Sequence, residues 1–192
     1  MAHEAQGSPS VHIWGAAQRA LNDYNIATTV NFLRQQPPEV GWSAPPSGLH
    51  KINVDGAKSE DGRPSGVGVV IRDCRGVVMA ASAMVLPAQY GMEVTEALVV
   101  EQGILLAQQM MLMQVILESD SLSVVDAISS NSPHGDLQPI VQGILLLSSS
   151  FDFWKDKHLK RDYNKVAHEL AKLGRETRMS QTWTDMEPPM VH

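Results

Sequence analysis

Residues 51–57 read KINVDGA, and this stretch decides the fold. Ile52 and Val54 alternate onto one face, as in a strand. Asp55 and Gly56 follow at the strand's end, so a carboxylate is delivered where regular structure stops. Working outward, SEDGRPSG (59–66) is a turn-rich loop. GVGVVIRD (66–73) and GVVMAASAMVL (76–86) are two further strands, joined by a tight turn at Asp73–Gly76. Beyond them the period changes. From Glu93 to about Met113, Ala97, Val100, Ile104, Ala107 and Met111 recur at three and four, which predicts a long helix.

QVILES (114–119) is a short apolar strand, and Ser119 or Ser121 is placed to cap a helix from Leu122 to about Ile128. NSPHGD (131–136) is a loop. LQPIVQGILLLSSS (137–150) is a helix, FDFWKDKHL (151–159) a strand and NKVAHELAKLGRE (164–176) a last helix. Three hairpin-linked strands followed by crossover units predict an α/β domain, a mixed sheet with helices packed on it. Upstream, residues 1–50 form an N-terminal arm or linker. MAHEAQGSPS reads as disordered and a short helix is plausible over Trp14–Leu33. Pro37, Pro38, Pro45 and Pro46 then forbid regular structure. Residues 51–174 are the domain and 175–192 a polar tail.

The 192 residues suffice for one domain with a sizeable core. Hydrophobic residues are 43% and charged residues 19%, the balance of a globular protein. Aromatics are only 5%, so Val, Ile, Leu, Met and Ala must fill the core. The net charge of −6 excludes an overall basic footprint, though not a local one. Cys74 is the one cysteine, which excludes an intrachain disulfide and reads as a reducing, intracellular setting, nuclear or cytoplasmic. No signal peptide and no long apolar run stand out, so no membrane association is expected.

The acids carry the chemistry. Asp55 ends a strand, Glu96 lies on a helix in TEALVVEQGILLA, and Asp120 follows a strand in VILESDSLSVV. Carboxylates gathered from separate elements repel by about 4 kcal/mol per pair at 4 Å and an effective dielectric of 20. A divalent cation is the usual neutraliser. That points to metal-dependent phosphoryl chemistry.

KINVDGA, GVGVVIRD, TEALVVEQGILLA, ILESDS and NKVAHELAKL, in that order, resemble a type 1 ribonuclease H domain over roughly Lys51 to Gly174. The resemblance is nearest to the plant reverse-transcriptase-like subgroup, a module descended from non-LTR retroelements. Trp42, Pro45, Pro46 and Gly48 before it, and Trp183 with Pro188 and Pro189 after it, look like that subgroup too. The resemblance implies a ribonuclease H-like fold with a five-stranded mixed sheet, order 3-2-1-4-5, and helices on both faces. It implies a monomer that cleaves the RNA strand of RNA–DNA hybrids with two Mg²⁺ or Mn²⁺ ions. By motif, Asp55, Glu96 and Asp120 match three family acids, with Asp55 bridging both ions. His168 stands where the fourth acid is found, in Asn164-Lys165-Val166-Ala167-His168-Glu169-Leu170-Ala171, as a fourth metal ligand whose imidazole nitrogen suits Mn²⁺ better than Mg²⁺. His158 falls where many members carry a histidine that helps product leave. Gly56 and Ser121 match substrate-contacting positions.

The cluster Lys155, Lys157, Lys160, Arg161 and Lys165 is the best phosphate-binding patch, with Lys160 and Arg161 as candidate substrate contacts. Glu93, Glu101, Glu118 and Asp126 read as surface groups, and Met110, Met111 and Met113 as core filler. Two other readings stay open. One is a ribonuclease H-like module that binds nucleic acid or a partner without cleaving. The other is a retroelement fragment without a role.

Overall fold

A computed structural model describes residues 41–59, 62–133 and 135–184. The arm expected upstream of residue 41, with its helix, lies outside the described residues, as does the end of the tail. The described elements are β1 (His50–Ala57), β2 (Gly66–Arg72), β3 (Val78–Val85), α1 (Met92–Gln109) and β4 (Gln114–Ser119). After these come α2 (Leu122–Ser129), α3 (Leu137–Ser148), β5 (Phe153–His158), a 3₁₀ turn (Arg161–Tyr163), α4 (Lys165–Thr177) and β6 (Gln181–Thr184).

The sheet has six strands in the order β5-β4-β1-β2-β3-β6. The expected order 3-2-1-4-5 is contained in it, and β6 is added outside β3. β1 pairs antiparallel with β2 and parallel with β4, so it is central. β2–β3 and β3–β6 are antiparallel and β4–β5 is parallel. The sixth strand comes from residues read as polar tail: Gln181 to Thr184 pair with Ala83 to Ala80 along the edge of β3. No helix among the described residues is long and apolar enough to cross a membrane.

Local chemistry explains the boundaries. Asp73 Oδ1 accepts from the backbone N–H of both Arg75 and Val77 at 2.9 Å, and Gly76 sits at φ +81°, which closes the β2–β3 turn. The long helix stops earlier than its apolar period does. Met111 is left-handed at φ 55°, and the Leu112 N–H reaches back to the Ala107 carbonyl at 3.0 Å. Met111 and Met113 are therefore exposed, at 62% and 46%, and only Met110 of the three is core.

Both faces of β1 are covered, not one. Ile52 and Val54 join Val67, Val69, Leu117, Ile104 and Ile144 in the main core, on the side of α1 and α3. Lys51, Asn53 and Asp55 point to the other side, towards α4, and are also buried. There α4 rests on bare backbone. A methyl group at Gly68 would meet the Ala167 carbonyl at 1.9 Å, and one at Gly66 would meet the Ala171 carbonyl at 2.0 Å. This close approach sets how near α4 stands to Asp55.

Candidate active site

Three elements deliver the acids. Asp55 lies near the end of central β1, Glu96 in the second turn of α1, and Asp120 just past β4. The parallel pairing of β1 with β4 places Val54 beside Ser119, so the residues that follow leave the sheet at the same end. One carboxylate oxygen from each of Asp55, Glu96 and Asp120 lies within 4.8 Å of the others. Asp55 and Glu96 are buried and Asp120 is half-buried.

The electrostatics follow from that crowding. Burial, then the Asp120 charge, pushes the Asp55 carboxyl up to about 6, against the lowering effect of His168. Burial, then the charges of Asp55 and Asp120, pushes Glu96 up to about 8, with Arg161 opposing the rise. Among the described residues, Glu96 Oε2 is buried without a hydrogen-bond partner. A carboxylate with one orphaned oxygen, grouped with two other carboxylates, is a donor set suited to a hard divalent cation. The residues present fit such an ion.

His168, in the first turn of α4, places Nδ1 2.5 Å from Asp55 Oδ2. It touches the cluster through Asp55. Asn164, which opens α4, donates from Nδ2 to the Val54 carbonyl at 2.7 Å and ties the helix to the strand one residue from Asp55. Gly56 leaves room that a side chain would fill: a methyl there would stand 3.2 Å from Glu96 Oε1 and 3.0 Å from Thr95 Cγ2. Ser121 is the N-cap residue of α2, but its hydroxyl makes no capping bond and lies 3.4 Å from the Ser123 hydroxyl. Lys160 and Arg161 are exposed after β5, and His158, the cross-strand neighbour of Ser119, is exposed at the same end of the sheet.

Glu118 is a correction. Read as a surface group, it is 1% exposed. Its Oε2 accepts from Asn53 Nδ2 at 3.0 Å, and its Oε1 pairs with Lys51 Nζ at 3.0 Å and Lys157 Nζ at 3.8 Å. Lys51 also donates to the Ser43 carbonyl at 2.5 Å, and Arg72 Nη1 to Asn53 Oδ1 at 3.3 Å. Lys51 and Arg72 both stand over the Trp42 ring, at 5.0 and 4.6 Å. The strand period puts Glu118 on the face of Asp120. What it does not give is the cover that Trp42 and its neighbours lay over that face.

A family model described as reverse transcriptase-like matches residues 53–174. The chain belongs to the reverse transcriptase-like family. The match spans the strands and helices that carry all three acids and His168. No curated protein matches the chain in sequence. Among solved structures, the N-terminal RNase H domain of a Mycobacterium tuberculosis protein is 23% identical, with a TM-score of 0.61 over 67% of this chain and 94% of that one. RNase H1 of Halobacterium salinarum is 20% identical, with a TM-score of 0.60 over 67% and 98%. LC11-RNase H1 from compost, solved with an RNA/DNA hybrid, is 20% identical, with a TM-score of 0.62 over 67% and 98%. At these identities the likeness is one of fold: this family member has the ribonuclease H-like architecture.

Proposed function

We propose that the chain is a divalent-metal-dependent endonuclease that cleaves the RNA strand of RNA–DNA hybrids. One observation carries the reading. One carboxylate oxygen from each of Asp55, Glu96 and Asp120 lies within 4.8 Å of the others at one end of a ribonuclease H-like sheet, and Glu96 Oε2 has no hydrogen-bond partner among the described residues. Asp55, Glu96 and Asp120 would hold two Mg²⁺ or Mn²⁺ ions. Such ions supply an activated water and charge stabilisation for in-line displacement at phosphorus.

The rest falls to the chain's own groups. Asp55 and Glu96 must shed the protons that burial favours before they ligate, so binding competes with protonation. His168 orients Asp55 through the Nδ1 contact and stands in for a fourth acid with one negative charge fewer. Arg161 and Lys160 neutralise substrate phosphates at the rim. Gly56 and Ser121 lie where 2′-hydroxyls of the RNA strand would be read. His158, exposed at the same end of the sheet, would assist release of product.

The test is cleavage of a hybrid labelled on its RNA strand, in Mg²⁺ and in Mn²⁺, by the parent and by Asp55→Asn. The parent nicks the RNA and the variant does not, while its far-UV circular dichroism is unchanged. A parent that is inert in both metals overturns the reading. The second reading, a nucleic-acid-binding module that does not cleave, draws on the His168 contact, which already occupies an oxygen of Asp55. A parent that binds hybrid without nicking it would select that reading.

A further inference from the structure

The sheet face that carries Asp55 is covered unevenly. Helix α4 packs on β1, β2 and β3, with no comparable packing on β4 or β5 among the described residues. The consequence is visible along β5. Phe153 is 41% exposed, and Lys155 and Lys157 are exposed too. Register puts these three beside Gln114, Ile116 and Glu118 of β4, on the face that continues to Asp120. The alternate residues turn the other way: Trp154 packs against the main core, and Asp156 is engaged by the Ser129 hydroxyl.

The ridge is thus a line of charge with a direction. It starts at an exposed aromatic ring, passes Lys155 and Lys157, and continues past the end of β5 to exposed Lys160 and Arg161. Arg161 acts electrostatically on Glu96, so the line ends at the carboxylates. The opposing charges are few. Glu118 is buried and shared between Lys51 and Lys157, leaving Lys157 Nζ 3.8 Å away with a side chain 56% exposed. Exposed Asp152 stands at the far end, before Phe153, and exposed Asp162 follows Arg161 at the near end.

We propose that this β5 ridge binds a single-stranded nucleic-acid segment leading to or from the candidate active site. Phe153 stacks on an unpaired base, and Lys155 and Lys157 meet successive phosphates. Side chains on one face of a strand recur every ~6.6 Å, a repeat close to that of phosphates along an unstacked backbone. An exposed ring beside a basic track is the pairing that single strands use, because each unpaired base offers a free face. A duplex offers none along its length, so the ring favours the single strand. The proposal rests on the nucleic-acid reading of the carboxylate site but not on hydrolysis.

The test keeps the two apart. Full-length protein in chelator, where cleavage is off, is titrated into a labelled single-stranded oligoribonucleotide and followed by fluorescence anisotropy over a range of salt. Phe153→Ala weakens binding about tenfold. Lys155→Gln reduces the slope of log affinity against log salt by about 0.7, one phosphate contact on a single strand. Phe153→Ala binds and, with metal, cleaves a blunt hybrid like the parent, and both variants lose the extra affinity that the parent has for a hybrid with a single-stranded extension. Circular dichroism of both variants matches the parent, since both side chains are exposed. Parent-like binding of single strands by both variants overturns the proposal, as does a parent with no single-strand affinity. Equal losses on blunt hybrid overturn it as well, since the ridge would then belong to the duplex site. Failure of hydrolysis in the parent strikes the endonuclease reading alone.

Discussion

Two buried acidic places lie on one face of the same sheet, two residues apart along β4. Glu118 is 1% exposed and meets Lys51, Lys157 and Asn53. One step further on, Asp120 meets Asp55 and Glu96, with one histidine and one distant arginine to relieve them. Asp55 and Glu96 are buried as Glu118 is, Asp120 is half-buried, and the surroundings are opposite. The first carboxylate is neutralised from inside the fold. The second group is not, and Asp55 and Glu96 are held protonated to higher pH, by burial first and by the neighbouring carboxylates second. The difference teaches how to separate structural acids from those kept for a ligand. What decides is whether the fold itself supplies the countercharge.

The sharpest way to break that contrast is to remove the neutralised acid. Glu118→Ala leaves Lys51 buried at 4% exposure beside Arg72, with Trp42 over both. Deleting one partner of a buried pair costs about 3–5 kcal/mol. Urea denaturation should show a midpoint lowered accordingly, with metal present or absent. A midpoint within error of the parent would mean that Glu118 contributes nothing that water does not replace.

The unneutralised group should respond the other way, through pH. The sign follows from protons. In the unfolded chain Glu96 ionises near its ordinary 4.5, and in the fold near 8. Between those values the fold holds a proton that the unfolded chain has lost, so stability is complete below about 4.5 and declines as pH rises towards 8. Asp55, raised from 3.8 to about 6, adds to the decline in the lower part of that window. In chelator, thermal unfolding should fall in midpoint from pH 5 to pH 8, a loss of several kcal/mol in stability. Glu96→Gln should flatten most of that slope, and saturating Mn²⁺ should reverse it. A parent profile that is flat in chelator would refute the crowding described for these two carboxylates.

The smallest change sharpens the contrast by deepening the deficit. His168→Asp adds a fourth negative charge against Asp55. It should raise Mg²⁺-supported cleavage a few-fold and lower metal-free stability slightly, whereas His168→Ala should cost most in Mn²⁺ near neutral pH. Steady-state rates in the two metals check both. If both variants behave as the parent, His168 serves only to hold α4 against β1.

Much of this architecture was legible in the chain itself. KINVDGA, the two strands around Asp73–Gly76 and the apolar period from Ala97 to Ala107 each carry a local signal that tertiary structure leaves in place. The meeting of Asp55, Glu96 and Asp120 was legible for the same reason, since each sits at an element boundary or on a helix turn that the pattern locates. What escaped depends on distant parts of the chain. QTWT, residues 181–184, has no strand pattern of its own and becomes β6 because β3 offers an unpaired edge. The burial of Glu118 depends on Trp42, far upstream, lying over Lys51 and Arg72. Met111 keeps the helical period yet is exposed, because its left-handed backbone ends the helix first.

The short β6 strand bears on solubility rather than on catalysis. It covers β3, whose sequence VMAASAMV is small, apolar and free of proline and charge. An uncovered strand of that kind offers a row of free N–H and C=O groups to a like strand from a neighbouring chain. The family match ends at residue 174, before β6 begins. A protein trimmed to that boundary would keep every acid of the site and still present an adhesive rim, so its first failure would be aggregation in the test tube.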